Sequence, residues 1–165
     1  MKRHFWNVLF VAALAFVLIR QAPLYWRMWQ RSGESAPAVD VQSLGGEPLQ
    51  LPTGKNSVVV FWATWCPPCK VELERLNKLV EFGSVKPDQI LAVSVGEDFD
   101  TVQKFTTERA YKFQAAIDPE GRAGTAYNVP GTPTVLLLNA DGSIGWMTMG
   151  ISPTLEFRVK SHVSK

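Results

Sequence analysis

Cys66 and Cys69 are the only cysteines in 165 residues, and they stand with two residues between them, at the junction of a strand-like run and a helix-like run. Upstream, Val58-Val59-Val60-Phe61-Trp62-Ala63 is nearly continuous apolar sequence, the pattern of a strand buried on both faces. Downstream, Val71, Leu73, Leu76, Leu79 and Val80 recur at helical spacing until Gly83, which predicts a helix from about Cys66 to Phe82. Strand, C-x-x-C and helix together put Cys66 at a helix N-terminus. There the helix dipole and the free backbone N–H groups favour a thiolate. A thiolate attacks disulfides and a thiol does not, so the segment points to redox chemistry.

Other readings of the pair are weaker. A stretch of about 130 residues buries a core without staples, so two cysteines are not a disulfide framework. A closed zinc site needs four ligands. The chain has no further Cys, and its two histidines, His4 and His162, lie near opposite ends and read as solvent-exposed tail residues. Charge is uneven. Residues 1–33 carry five Lys/Arg and no acid, while residues 34–165 carry 12 Lys/Arg against 15 Asp/Glu. A mildly acidic domain gives no electrostatic case for binding nucleic acid.

The basic end is the head of an apolar segment. Lys2-Arg3-His4 precede Phe5 to Ile19, in which only Asn7 is polar. That run spans about 22 Å as a helix, short of a ~30 Å hydrocarbon core. Continued past Arg20 to Trp29, the helix would let Arg20 snorkel and set Tyr25, Trp26 and Trp29 at headgroup level. The rival is a cleaved signal peptide, but bulky aromatics follow the run where small residues belong. The expected organisation is an N-terminal membrane anchor or uncleaved signal segment over 1–31, a linker over 32–37, and one domain over 38–165. Basic residues flank the segment on both sides and leave its orientation open. A lone redox C-x-x-C behind an export-like segment places the domain outside the cytoplasm, in the periplasm or its equivalent.

Within the domain, Val39 to Leu51 reads as a short hairpin around Gly45-Gly46. Ile90 to Val95 is a strand, and Asp98 or Asp100 caps a helix running to about Tyr111. Gln114 to Ile117 is a short strand, followed by a helix near Pro119 to Tyr127. Thr134 to Leu138 and Ser143 to Met149 form a hairpin around Asn139-Ala140-Asp141-Gly142. Ser152 caps a last helix that opens with Pro153. Strands and helices in this order make a three-layer α/β domain.

Phe61-Trp62-Ala63-Thr64-Trp65-Cys66-Pro67-Pro68-Cys69 resembles the active-site strand and turn of thioredoxin-like proteins, and Val129-Pro130-Gly131-Thr132-Pro133-Thr134 resembles their cis-proline loop. With the N-terminal segment, the hairpin and Val93-Ser94-Val95-Gly96-Glu97, residues 37–165 are similar to the TlpA/ResA type of membrane-anchored thiol-disulfide oxidoreductase. The resemblance implies a thioredoxin-like α/β/α fold with a mixed central sheet, preceded by one membrane-spanning helix. It implies that Cys66 attacks, that Cys69 resolves the mixed disulfide, and that the Thr132–Pro133 peptide bond is cis, exposing the Thr132 backbone to a client strand. Trp65, Pro67, Pro68, Thr132 and Pro133 are the expected client-contacting residues. Trp65 reads as a surface wedge or as plain packing, and Trp62 and Trp146 as structural.

Two departures from generic thioredoxin bear on chemistry. The buried acid that thioredoxins resemble each other in having, six residues before the first cysteine, is Val60 here. Glu72, three residues after Cys69 on the same helix face, is the candidate replacement, and the TlpA/ResA type has a Glu at the matching position. A carboxylate there disfavours nearby thiolate and can shuttle the Cys69 proton. The plainer reading is that Glu72, like Glu74, only favours an early helix turn. Second, Pro67 and Pro68 have no backbone N–H, so a Cys66 thiolate draws donors only from Cys69 onward. A less stabilised thiolate makes a reductant, although Lys70 adds opposing positive charge. Glu97-Asp98-Phe99-Asp100 reads as a helix start and a solvated loop rather than a metal site.

The sequence therefore predicts a dithiol enzyme that reduces client disulfides, with no cofactor. Electrons would come from a membrane-embedded dithiol donor, and cytochrome c maturation is a process the family suggests. The alternatives are a net oxidant or isomerase, and a non-enzymatic protein that holds Cu(I) between the same two thiolates.

Overall fold

Alternation along one strand sets the layering. In β3 (Ser57–Trp62) Val58, Val60 and Trp62 face one core, and Val59 and Phe61 face the other; all five are fully buried. Successive strand side chains point to opposite faces, so an unbroken apolar run needs cover on both. The computed structural model describes residues 31–164 and, upstream, positions 6, 7, 10–13, 15, 16, 19, 20 and 23, which are helical.

β3 pairs in parallel with β4 (Ile90–Val95), and β4 in parallel with β5 (Gln114–Asp118). On the other side β6 (Thr134–Leu138) joins β3 antiparallel, and β7 (Ile144–Met149) joins β6 antiparallel. The hairpin of β1 (Val39–Ser43) and β2 (Pro48–Leu51) attaches antiparallel to β5. The result is a seven-stranded mixed sheet in the order β2-β1-β5-β4-β3-β6-β7. Helices α1 (Pro67–Glu81), α2 (Phe99–Glu108) and α4 (Leu155–Val163) supply Leu73, Leu76, Val102, Leu155 and Val159 to the core that holds Trp62. The short α3 (Arg122–Ala126) covers the opposite face with Ala123, beside Tyr127.

Most expected elements appear within a residue or two of their limits, and four differences have physical causes. Helix α2 stops at Glu108, because Arg109 caps it and Ala110 turns to φ 51°. Helix α3 starts only at Arg122, because Gly121 (φ 68°) first closes a turn through its N–H to Asp118 O at 3.1 Å. Ser152 does not cap the last helix. Its N–H donates to Glu72 Oε1, its carbonyl accepts from Arg75 Nη1 at 2.8 Å, and Thr154 stands at the cap position. His162 is not an exposed tail residue: it is 7% exposed, with Nε2 2.8 Å from Leu138 O, because α4 packs its last turn onto the sheet. His4 lies outside the described residues.

The segment read as a linker, 32–37, pairs with the β6–β7 turn and the first residue of β7. Gly33 N–H donates to Ile144 O at 2.7 Å, Ile144 N–H to Glu34 O at 2.8 Å, and Ala36 N–H to Gly142 O at 2.8 Å. Ser35 bridges Ser143, and Ala36 is buried. Among the described residues no helix is long and apolar enough to cross a membrane. Much of the segment expected to form the anchor, 1–31, falls outside those residues.

Candidate active site

Cys66 lies at the mouth of α1, past the end of β3, and is bonded to Cys69 with their Cα atoms 5.3 Å apart. It is the N-cap, with extended backbone (φ −92°, ψ 105°). Its N–H donates to Ala63 O at 3.2 Å, closing the turn that leaves β3. One helix N–H reaches its sulfur: Cys69 N–H donates to Cys66 Sγ at 3.3 Å. The two positions between offer none, since both are proline. Lys70 Nζ sits 5.5 Å from the Phe105 ring centroid, a cation–π contact.

Both cysteines are buried, Cys66 at 3% exposure and Cys69 at 0%. Cys66 is thus the sulfur nearer solvent. Trp65 beside it is 71% exposed, and Pro67 is exposed as well. The Thr132–Pro133 bond is cis, and Thr132 O lies 3.6 Å from Cys66 Sγ. The Thr132 backbone, Trp65 and Pro67 therefore frame the more accessible sulfur. Past Thr132 an open cleft of about 560 Å³ runs between Val95, Gly121, Gly124, Val129 and Gly131. A second cis bond, Leu51–Pro52, lies elsewhere and carried no signal in the sequence.

Glu72 is fully buried on α1. Its Oε1 accepts the Ser152 N–H at 2.5 Å, and its Oε2 accepts Arg75 Nη1 at 3.0 Å. Burial raises its pKa above the ordinary carboxylate value, while the Ser152 N–H and the Arg75 guanidinium pull against it. Among the described residues no hydrogen bond joins Glu72 to either sulfur. The structure thus brings Cys66, Cys69, Trp65, Pro67, Thr132 and Pro133 to one place, and sets Glu72 behind them, between α1 and the β7–α4 loop.

Sequence reasoning missed one residue at this end of the sheet. Glu97 is not part of a solvated loop, since it accepts three hydrogen bonds from Thr64 and Ser94. Its partner Thr64 is 33 positions away, so no local pattern could have found it. Asp98 next to it does cap α2, accepting Thr101 N–H at 2.8 Å, and this holds its pKa below the usual carboxylate value.

Residues 31–161 match the family model described as Redoxin. The thiol-disulfide oxidoreductase ResA of Geobacillus kaustophilus is 33% identical over 120 residues, which cover 72% of this chain and 69% of that protein. A secreted Mycobacterium tuberculosis disulfide oxidoreductase, homologous to E. coli DsbE, superposes with a TM-score of 0.61 at 25% identity, over 74% of this chain and 95% of that one. The thioredoxin domain of a thiol-disulfide oxidoreductase from Bacteroides vulgatus superposes with a TM-score of 0.69 at 23% identity, over 80% and 97% of the two chains.

Proposed function

This chain belongs to the Redoxin family and is a thiol-disulfide oxidoreductase, and we propose that it runs as a reductant of client proteins outside the cytoplasm, held at the membrane by its N-terminal segment. One observation carries the direction: the Cys66 sulfur accepts one helix N–H, from Cys69, and two prolines remove the others. A thiolate with few donors is poorly stabilised, so the dithiol gives up its electrons readily.

In the proposed cycle the Cys66 thiolate attacks a client disulfide and displaces one client sulfur, forming a mixed disulfide. The client strand lies against the Thr132 backbone, with Trp65 and Pro67 at its sides. Cys69 then attacks Cys66 Sγ, which releases the second client thiol and closes the Cys66–Cys69 bond. Glu72, on the same helix and without a hydrogen bond to either sulfur in the disulfide form, is the proposed acceptor of the proton that Cys69 must lose, and burial keeps its pKa up. The oxidised enzyme regains two electrons and two protons from a membrane-embedded dithiol. The secreted Mycobacterium relative and the apolar run from Phe5 to Ile19 support the location. Cytochrome c maturation fits a tethered reductant, because tethering raises effective concentration at the membrane.

The test is the reduction potential of the full chain in detergent, read by intrinsic fluorescence in a thiol–disulfide buffer. Trp62 packs in the same core cluster as both cysteines. We expect a value near thioredoxin's, about −270 mV. A value near DsbA's, about −120 mV, would make the protein an oxidant and overturn the proposal.

A further inference from the structure

We propose that Glu97 is a positioning residue for the dithiol: its carboxylate ties down the turn that carries Cys66. Strand β3 leaves the sheet at the pair Trp62 and Ser94, the last rung of its ladder with β4. The next stretch, Ala63 to Trp65, has no strand partner and must still present Cys66 at a fixed height. Glu97 supplies what the ladder no longer does. Its Oε2 accepts the Thr64 backbone N–H at 2.8 Å and Ser94 Oγ at 2.5 Å, and its Oε1 accepts Thr64 Oγ1 at 2.5 Å. Hydrogen bonds to an ionised acceptor are roughly twice as strong as neutral ones. Glu97 is itself fixed from both sides. Gly96 N–H donates to Asp118 O at 3.0 Å, and Asp98 caps α2. Gly96 has φ 74°, so the loop bends where other residues are strained.

The tether matters most in the reduced protein. In the disulfide, the bond to Cys69 already fixes Cys66. In the dithiol, the turn before Cys66 and the first turn of α1, where Lys70 N–H donates to Cys66 O at 3.3 Å, together decide how often the Cys66 sulfur meets Cys69. A tied turn raises the effective concentration of one thiol at the other and favours ring closure. Loosening it frees the reduced state, disfavours the disulfide and raises the potential. This rests on the Cys66–Cys69 couple and not on the direction of electron flow: the parent's own potential tests that direction, and the shift between variants tests Glu97.

The experiment is redox titration of the full chain and its variants in glutathione, where two glutathione thiols become one disulfide as the Cys66–Cys69 bond takes two electrons and two protons. Glu97→Ala is expected to lower the equilibrium constant for disulfide formation about tenfold, a rise of about 30 mV. Glu97→Gln keeps one acceptor oxygen and can donate to the Thr64 hydroxyl, so it is expected to restore most of the constant. Thr64→Val, which keeps the N–H contact, should fall between parent and Glu97→Ala. Urea midpoints of the oxidised and reduced forms accompany each titration. Equal midpoint losses in both forms, with the redox constant unchanged, mean that Glu97 only braces the fold and overturn the proposal. If Glu97→Ala does not fold, Glu97→Gln and Thr64→Val decide: parental constants in both overturn it, and a lowered constant in Thr64→Val supports it.

Discussion

Glu72 holds a carboxylate in full burial, with one N–H and one guanidinium for company. Its pKa in the folded chain lies above the unfolded value of 4.5, chiefly because burial disfavours the charge. A raised folded pKa gives stability that is complete below the unfolded pKa and is lost as pH rises through the folded one. Glu72→Gln removes that titration. The stability of the parent relative to Glu72→Gln should therefore fall as pH climbs from 4.5; denaturant midpoints at several pH values check this, and a flat difference would refute it. Pro67 bears on the potential. Pro67→His restores a backbone N–H beside Cys66 and adds an imidazole, so the reduction potential should rise by about 30 mV, tenfold in the equilibrium constant. A potential that falls or stays fixed would end the donor-count account. Residues whose chemistry is local were legible in the sequence, the C-x-x-C and the proline pair between; the cis Thr132–Pro133 bond followed only from the family resemblance, since on local sequence Pro133 reads as an ordinary strand-entry proline. Glu97 and His162 were not legible, because Thr64 and Leu138, which give them their roles, are brought to them only by the folded sheet.

At the level of elements, strands and long helices followed from periodicity, and their ends followed less well. Ser152 has the composition of a helix cap, yet Glu72 of α1 and Arg75 claim its backbone, so a tertiary contact overrode a local preference. The stretch 32–37 is small and polar and reads as a linker, but three backbone hydrogen bonds hold it to Gly142 and Ile144, where β7 begins. Composition cannot report pairing with a strand more than a hundred residues away. These bonds are worth about 1 kcal/mol each before the cost of ordering the segment. A chain beginning at residue 38 should thus be less stable than one beginning at 31, by about 1–3 kcal/mol from urea unfolding. Equal midpoints would show that the segment rests on the sheet without holding it.

The molecule as a whole sets its reactive bond beyond the C-terminal ends of the parallel strands, where open α/β sheets gather their ligands. Under the proposed membrane attachment, the full chain should stay with the bilayer after alkaline carbonate washing, while a chain beginning at residue 31 should be released. Release of both would remove the anchor from the account. The strap at the start of β7 then acquires a mechanical meaning. Because residues 33–36 are already committed to the domain, any leash between membrane and enzyme must end before Gly33. With the anchor proposed to reach through residue 31, almost no free chain is left between lipid and enzyme. The enzyme's working radius would then be short, and a client would have to bring its disulfide down to the lipid surface to be met.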